Sequence, residues 1–207
     1  MDITLNAMVK FMNARKGDRT RQQLIEAAAV EIAAHGRKAK MVDVAARLGL
    51  TQPAVYRHFK SRDEVHHAVV ADFRENLREL VKNSLIPPSV RADDLKSLTT
   101  IAVTSLLTFL QGNRDAMTVA MLHEPEGEET RQELISMIAV NIKTEVEAGH
   151  FRQDISAEFF ATCLVGIVVQ FVRHPIPTSD IQSNAELIAS VLFQGMQNDT
   201  KSFRNGN

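Results

Sequence analysis

The chain has 207 residues, 44% of them hydrophobic, enough for one small domain plus one larger one; with no Trp and one Tyr the core must be mostly aliphatic and Met. Its single cysteine, Cys163, excludes an internal disulfide framework and fits a reducing cytoplasm, and no apolar run reaches the roughly 18–20 residues of a membrane span. The net charge of −1 conceals a split: residues 1–62 hold 12 Lys+Arg and 5 Asp+Glu (+7), residues 63–207 hold 12 and 20 (−8), so a polyanionic partner is expected for the first part only.

The N-terminus, MDITLNAMVKFMNARK, lacks the apolar core of a signal peptide. Residues 1–17 read as a flexible arm, with Met8 and Met12 as alternative starts. Residues 19–35 have the spacing of an amphipathic helix: Leu24, Ala27, Ala28 and Ile32 sample its inner face, Glu31 forms the polar edge, and Gly36 ends it. A basic loop, RKAK, leads to the most informative stretch, DVAARLGLTQPAVYRHF at residues 43–59. It predicts two short helices joined by a tight turn, the unit that places a helix in the DNA major groove. The first runs from Asp43 to Leu48 with Val44, Ala45 and Leu48 on its apolar face. Gly49 supplies the left-handed backbone that stops it. Thr51 is an N-cap candidate for the second, and Pro53 sits in its first turn, where it breaks no helical hydrogen bond. Phe59 belongs to the core.

Ser61 caps a long helix predicted over 62–84, with Asp63 and Glu64 at its positive dipole end. Pro87 and Pro88 interrupt the chain. Further helices are predicted at 92–111, 114–123, 128–148, 156–173 and 180–197, with HEPEGEE as an acidic loop and AGHFRQD as a turn. Helix 156–173 is apolar nearly all round, so it must be covered on several sides, and Gly166 permits a close helix crossing. Cys163 reads as a buried small hydrophobe. Helix 180–197 has an apolar stripe, Ile181, Ile188, Val191, Leu192 and Met196. No strand pattern and no repeat competes.

The pieces TRQQLIEAAAVEIAAHG and VDVAARLGLTQPAVYRHFKSRDEV, between Thr20 and Val70, resemble the DNA-binding domain of TetR-family (tetracycline-repressor-like) transcriptional regulators. The run Gln52-Pro53-x-x-Tyr56-x-His58 is close to a recognition helix of that family. Two departures stand out: the family's common Phe near the end of the first helix is absent from EIAAHG, and Lys40 or Met41 stands where a Ser or Thr usually caps the second helix. The resemblance implies an all-α protein, with a three-helix helix-turn-helix domain followed by a larger helical ligand-binding and dimerisation domain. The expected limits are 18–62 for the DNA domain, 63–200 for the helical domain and 201–207 for a flexible tail.

A recognition helix reads bases near its N-terminus and grips phosphates at its flanks. Gln52, Pro53 and Ala54 are therefore expected at base edges, since Gln pairs bidentately with adenine and Pro and Ala meet a thymine methyl. Thr51, Tyr56, Arg57, His58 and Lys60 are expected at or beside phosphates; the resemblance also implies backbone contacts for Tyr56 and Lys60. Lys40 and Arg47 are further candidates, with Arg15, Lys16 and Arg19 as a basic arm. The resemblance also implies a small-molecule pocket and a homodimer through the last two helices. The pocket candidates are Phe73, Leu77, Leu106, Phe109, Met117, Met121, Ile138, Ile142 and Phe171.

The rival reading is an enzyme or a metal-binding bundle. Two Glu-x-x-His pairs, Glu64/His67 and Glu147/His150, match half of a di-iron ligand set. Glu64 lies in the first turn after the DNA domain, and His150 follows Gly149 at a helix end, so neither pair sits as such a site requires. The seven histidines are scattered without partners at metal-ligand spacing, and there is no phosphate loop or GxSxG. The sequence thus predicts a cytoplasmic DNA-binding regulator, most simply a ligand-released repressor on a palindromic operator, with no catalytic residues, cofactor, metal or membrane.

Overall fold

In the computed structural model, which describes residues 16–87 and 90–196, every regular element is helical and no β-strand occurs among the described residues. The chain forms two compact units, Met1–Phe73 and Arg74–Asn207.

The first unit contains α1 (Lys16–His35), a 3₁₀ turn at Gly36–Lys38, α2 (Met41–Arg47), α3 (Gln52–Tyr56) and the first half of α4 (Arg62–Asn83). The inner face expected for α1 is buried as predicted: Leu24, Ala28 and Ile32 are buried, as are Val44, Ala45, Val55, Phe59, Val65 and Val69 elsewhere in this unit. Burying Phe59 alone is worth about 2–3 kcal/mol, and Arg21 covers its ring with the guanidinium carbon 4.8 Å from the ring centre. Glu31, the expected polar edge, is buried and accepts a 2.6 Å hydrogen bond from Arg47 Nε.

α2 ends in a Schellman motif. Gly49 N–H donates to Ala46 O at 3.1 Å, and Leu50 N–H donates to Ala45 O at 2.9 Å. The motif needs a left-handed residue, and Gly49 supplies it at φ 66°. α4 starts as expected on Ser61, whose Oγ accepts from Glu64 N–H at 3.1 Å, while Glu64 reaches back to accept from Lys60 N–H at 2.6 Å.

The second unit holds the rest of α4 and then α5 (Ala92–Gly112), α6 (Arg114–Leu122), α7 (Glu126–Glu147), α8 (Ala157–Arg173), a 3₁₀ turn at Thr178–Asp180 and α9 (Ile181–Met196). α5 packs on α9, and α7 packs on both α6 and α8. Three local expectations change. First, the acidic segment is not a loop throughout: Glu126, Glu128 and Glu129 form the first turn of α7. There Arg131 donates to Glu124 at 2.7 Å, to Glu128 at 2.6 Å and to Met121 O at 2.5 Å, so these charges hold α6 to α7. Second, Cys163 is exposed, because α8 turns Ala161, Leu164, Val165, Val168 and Val172 inward and leaves Phe159, Cys163 and Gly166 outside. Third, Gly166 makes no close crossing; a Cβ there would meet nothing within 4 Å. No helix among the described residues is long and apolar enough to cross a membrane.

Candidate nucleic-acid interface and ligand cavity

α3 spans only Gln52–Tyr56, shorter than its sequence suggests. Arg57 and His58 form a turn closed by His58 N–H donating to Val55 O at 2.9 Å, which brings Phe59 back into the core. The anchors are Ala54, Val55 and Phe59, which are buried. Thr51, Gln52, Pro53, Arg57 and Lys60 are exposed, Tyr56 is 42% exposed, and His58 is half-buried. The five exposed side chains and Tyr56 lie on the segment expected to meet DNA.

Two candidates stand differently. Ala54 is 7% exposed: its methyl fills the domain's own interior and is not offered to a base. Arg47 is on the surface, but its guanidinium is committed to buried Glu31. Thr51 has the extended backbone of an N-cap (φ −94°, ψ 153°), yet its hydroxyl makes no capping bond. Lys40 occupies the N-cap of α2 in extended backbone and is exposed. Arg19 is exposed near the start of α1, Lys16 is its first residue, and Arg15 lies outside the described residues. Arg62, which the sequence reading left unassigned, donates to Arg37 O at 2.5 Å and ties the start of α4 to the basic loop.

The second unit contains an open, largely apolar cavity of about 110 Å³. Its lining is drawn from the C-terminal end of α4 and the residues after it, and from α5, α7, α8 and α9. Of the nine expected pocket residues, Leu106, Ile138 and Ile142 line it. Leu77, Met117 and Met121 are plain core of the second unit, Phe73 is core of the first, and Phe109 and Phe171 are half-buried away from the cavity. Sequence reasoning missed Leu80, Thr99, Asn141, Glu145, Phe151 and Phe160, which belong to the same wall.

Glu145 is the notable member, at 0% exposure. α7 ends in a second Schellman motif: Gly149 at φ 80° donates to Val146 O at 3.0 Å, and His150 N–H donates to Glu145 O at 3.0 Å. This reversal sets the His150 ring beside the Glu145 carboxylate, Nδ1 to Oε2 2.7 Å. The sequence had paired His150 with Glu147 at metal-ligand spacing; the fold pairs it with Glu145. Glu64 is likewise engaged as a helix cap.

Residues 24–69 match the family model described as bacterial regulatory proteins, tetR family. The HTH-type transcriptional regulator YdgC of Bacillus subtilis strain 168, itself uncharacterised, is 27% identical over 184 residues, 87% of this chain and 94% of YdgC. Among solved structures, the TetR family regulator PfmR of Thermus thermophilus is similar with a TM-score of 0.69 at 19% identity, covering 89% of this chain and 99% of that one. SmeT, the repressor of the Stenotrophomonas maltophilia multidrug efflux pump SmeDEF, gives 0.66 at 18% identity over 90% of this chain and 94% of its own; it has also been solved in complex with triclosan. With the helix-turn-helix of α2 and α3 inside the matched segment and the all-helical fold shared along the chain, residues 24–69 are similar to the DNA-binding domain of bacterial regulatory proteins of the tetR family, and the whole chain is similar to an HTH-type transcriptional regulator.

Proposed function

We propose that the protein is a homodimeric, cytoplasmic repressor that holds a palindromic operator and releases it when a small molecule fills the cavity of the second unit. The observation that carries this reading is α4. Its N-terminal half belongs to the DNA-binding unit, and its C-terminal end supplies Leu80, Val81 and Ser84 to the cavity wall. A ligand that displaces this end acts on a helix continuous with the helix-turn-helix. It weakens operator binding only if it prefers the DNA-incompetent state. The SmeT precedent, a repressor solved with triclosan, supports a ligand of modest size and apolar character.

Gln52 and Pro53 are assigned to base edges, and Thr51, Tyr56, Arg57, His58 and Lys60 to phosphates, with Lys40 flanking them. For the dimer, the outward residues of the last two helices supply the surface. Phe159 and Cys163 on α8, with Leu187 and Val191 on α9, are exposed apolar or small side chains, and exposed Gly166 admits a close approach. A two-fold axis through α8 and α9 would present two copies of α3 to half-sites about 34–36 Å apart.

The test is a titration of the purified protein against DNA from upstream of its own gene, beside random DNA, at low and high salt. The expected result is one dimer per palindrome, tight binding to the upstream DNA and a steep salt slope. Absence of binding to any DNA at low salt overturns the reading.

A further inference from the structure

The cavity in the second unit has an asymmetric chemistry. Its wall is aliphatic and aromatic, and Glu145 is the sole ionisable residue in it; no Lys, Arg or His lines it among the described residues. Glu145 Oε2 is held by His150, but Oε1 is buried without a hydrogen-bond partner. Thr99 Oγ1, in the same wall, is also buried without one. Asn141, one helical turn before Glu145, adds a third polar group. A buried carboxylate oxygen left unpaired is costly, and a site with such an acceptor discriminates strongly for a molecule that satisfies it.

We propose that the ligand of this cavity is an amphipathic molecule with an apolar body and one hydrogen-bond-donating head, an ammonium or a hydroxyl, which donates to Glu145 Oε1 within reach of Thr99; carboxylate-headed amphiphiles are excluded. This deepens the regulatory reading above and rests on it for the consequence at DNA, though not for binding itself. An anionic head would meet a fixed carboxylate in an apolar surround with no cation in the wall to offset it. A hydrocarbon without a head would leave Oε1 unpaired. The Schellman motif at Gly149 fixes the remaining freedom: it docks His150 on Oε2, so Glu145 cannot rotate both oxygens away from the space.

The experiment compares three matched probes, octylamine, 1-octanol and octanoate, by calorimetric titration of the full chain at neutral pH, with operator release read in parallel by gel shift. The amine is expected to bind at least about tenfold more tightly than octanoate, with the alcohol between them. Glu145→Gln should remove the preference for the amine over the alcohol. Glu147→Gln, which deletes the same charge from an exposed position on α7, should leave it intact, separating the cavity from general attraction to an acidic domain. Thr99→Val, which keeps the shape and removes the hydroxyl, should weaken amine and alcohol alike, and serves if Glu145→Gln does not fold. Octanoate binding as well as the amine, an amine preference untouched by Glu145→Gln, amine and alcohol affinities untouched by Thr99→Val, or no amine binding at millimolar concentration each overturns the proposal. Amine binding that depends on Glu145 without releasing operator upholds the ligand chemistry and overturns the inducer role. Operator release by octanoate, unaffected by Glu145→Gln, does the reverse.

Discussion

Arg47 lies on the exposed side of α2, yet its guanidinium closes on a carboxylate that α1 buries among alanines, so its charge serves the domain before it serves DNA. Arg47→Ala would leave Glu31 buried with only His35 nearby, 3.6 Å away. Because Arg47 itself is nearly half exposed, solvent screens the pair, and the expected loss is about 1–2 kcal/mol of stability, below that of a fully buried pair. A thermal melt should register that loss, while the operator affinity of the folded fraction stays near wild type. Gln52 and Lys60 are expected to behave in the opposite way, since both are exposed on the segment expected to meet DNA. Gln52→Ala should cost about 1–3 kcal/mol of discrimination at one base pair. Lys60→Ala should weaken all sequences alike and lower the salt slope by about one. Equal losses on operator and random DNA for Gln52→Ala would remove it from the base edges.

At the scale of the element, the α6–α7 junction is fixed by a close approach and by charge. Gly127 lies where an added Cβ would meet Met121 O at 2.9 Å and Arg131 at 3.1 Å. A backbone atom cannot step aside as a flexible side chain does, so Gly127→Ala should shift the start of α7 and lower the melting temperature, despite the better helix propensity of Ala. An unchanged melting temperature would refute the close approach. The same junction sets a pH dependence. The hydrogen bond from Arg131 holds the Glu124 carboxyl below its ordinary range, and those from Gln132 and Arg131 do the same for Glu128. A depressed carboxyl stabilises the fold above its unfolded pKa of about 4.3, and that contribution is lost as pH falls through the lower folded value. Melts of Glu124→Gln/Glu128→Gln should therefore show a variant less stable than wild type at neutral pH, with the difference closing as pH falls below about 4.5.

At the scale of the whole molecule, α8 and α9 leave large apolar side chains exposed. Phe159, Leu187 and Val191 are 64%, 66% and 67% exposed, whereas Ile181, Ile188 and Leu192 of the expected α9 stripe are buried within the chain. α9 therefore uses most of its apolar face against α5, and what remains for a partner is narrower than the sequence suggested. Leu187→Asp/Val191→Asp should leave the helical content unchanged, yield a monomer by light scattering and sedimentation, and weaken operator binding at least about tenfold through loss of the paired half-site. A dimer that survives both charges would place the interface elsewhere.

The sequence by itself determined the helix-turn-helix, because turn chemistry and helical periodicity act over a few neighbours. Gly49 needs only its own backbone freedom to stop α2, and Val44, Val55 and Phe59 announce a buried face by spacing alone. The helix order and the capping role of Ser61 were legible for the same reason. What only the tertiary structure decided were pairings between residues whose proximity depends on packing. Periodicity shows that a helix has an apolar face but not what that face meets, so Cys163 was placed inside and Phe73, Met117 and Met121 were offered to a ligand. The Glu145–His150 pair follows from a chain reversal, which sets His150 against Glu145, a residue of the cavity wall, and not against Glu147. Local steric rules are written along the chain, whereas burial is a property of the assembled helices, and the chemistry of the cavity belongs to the second kind.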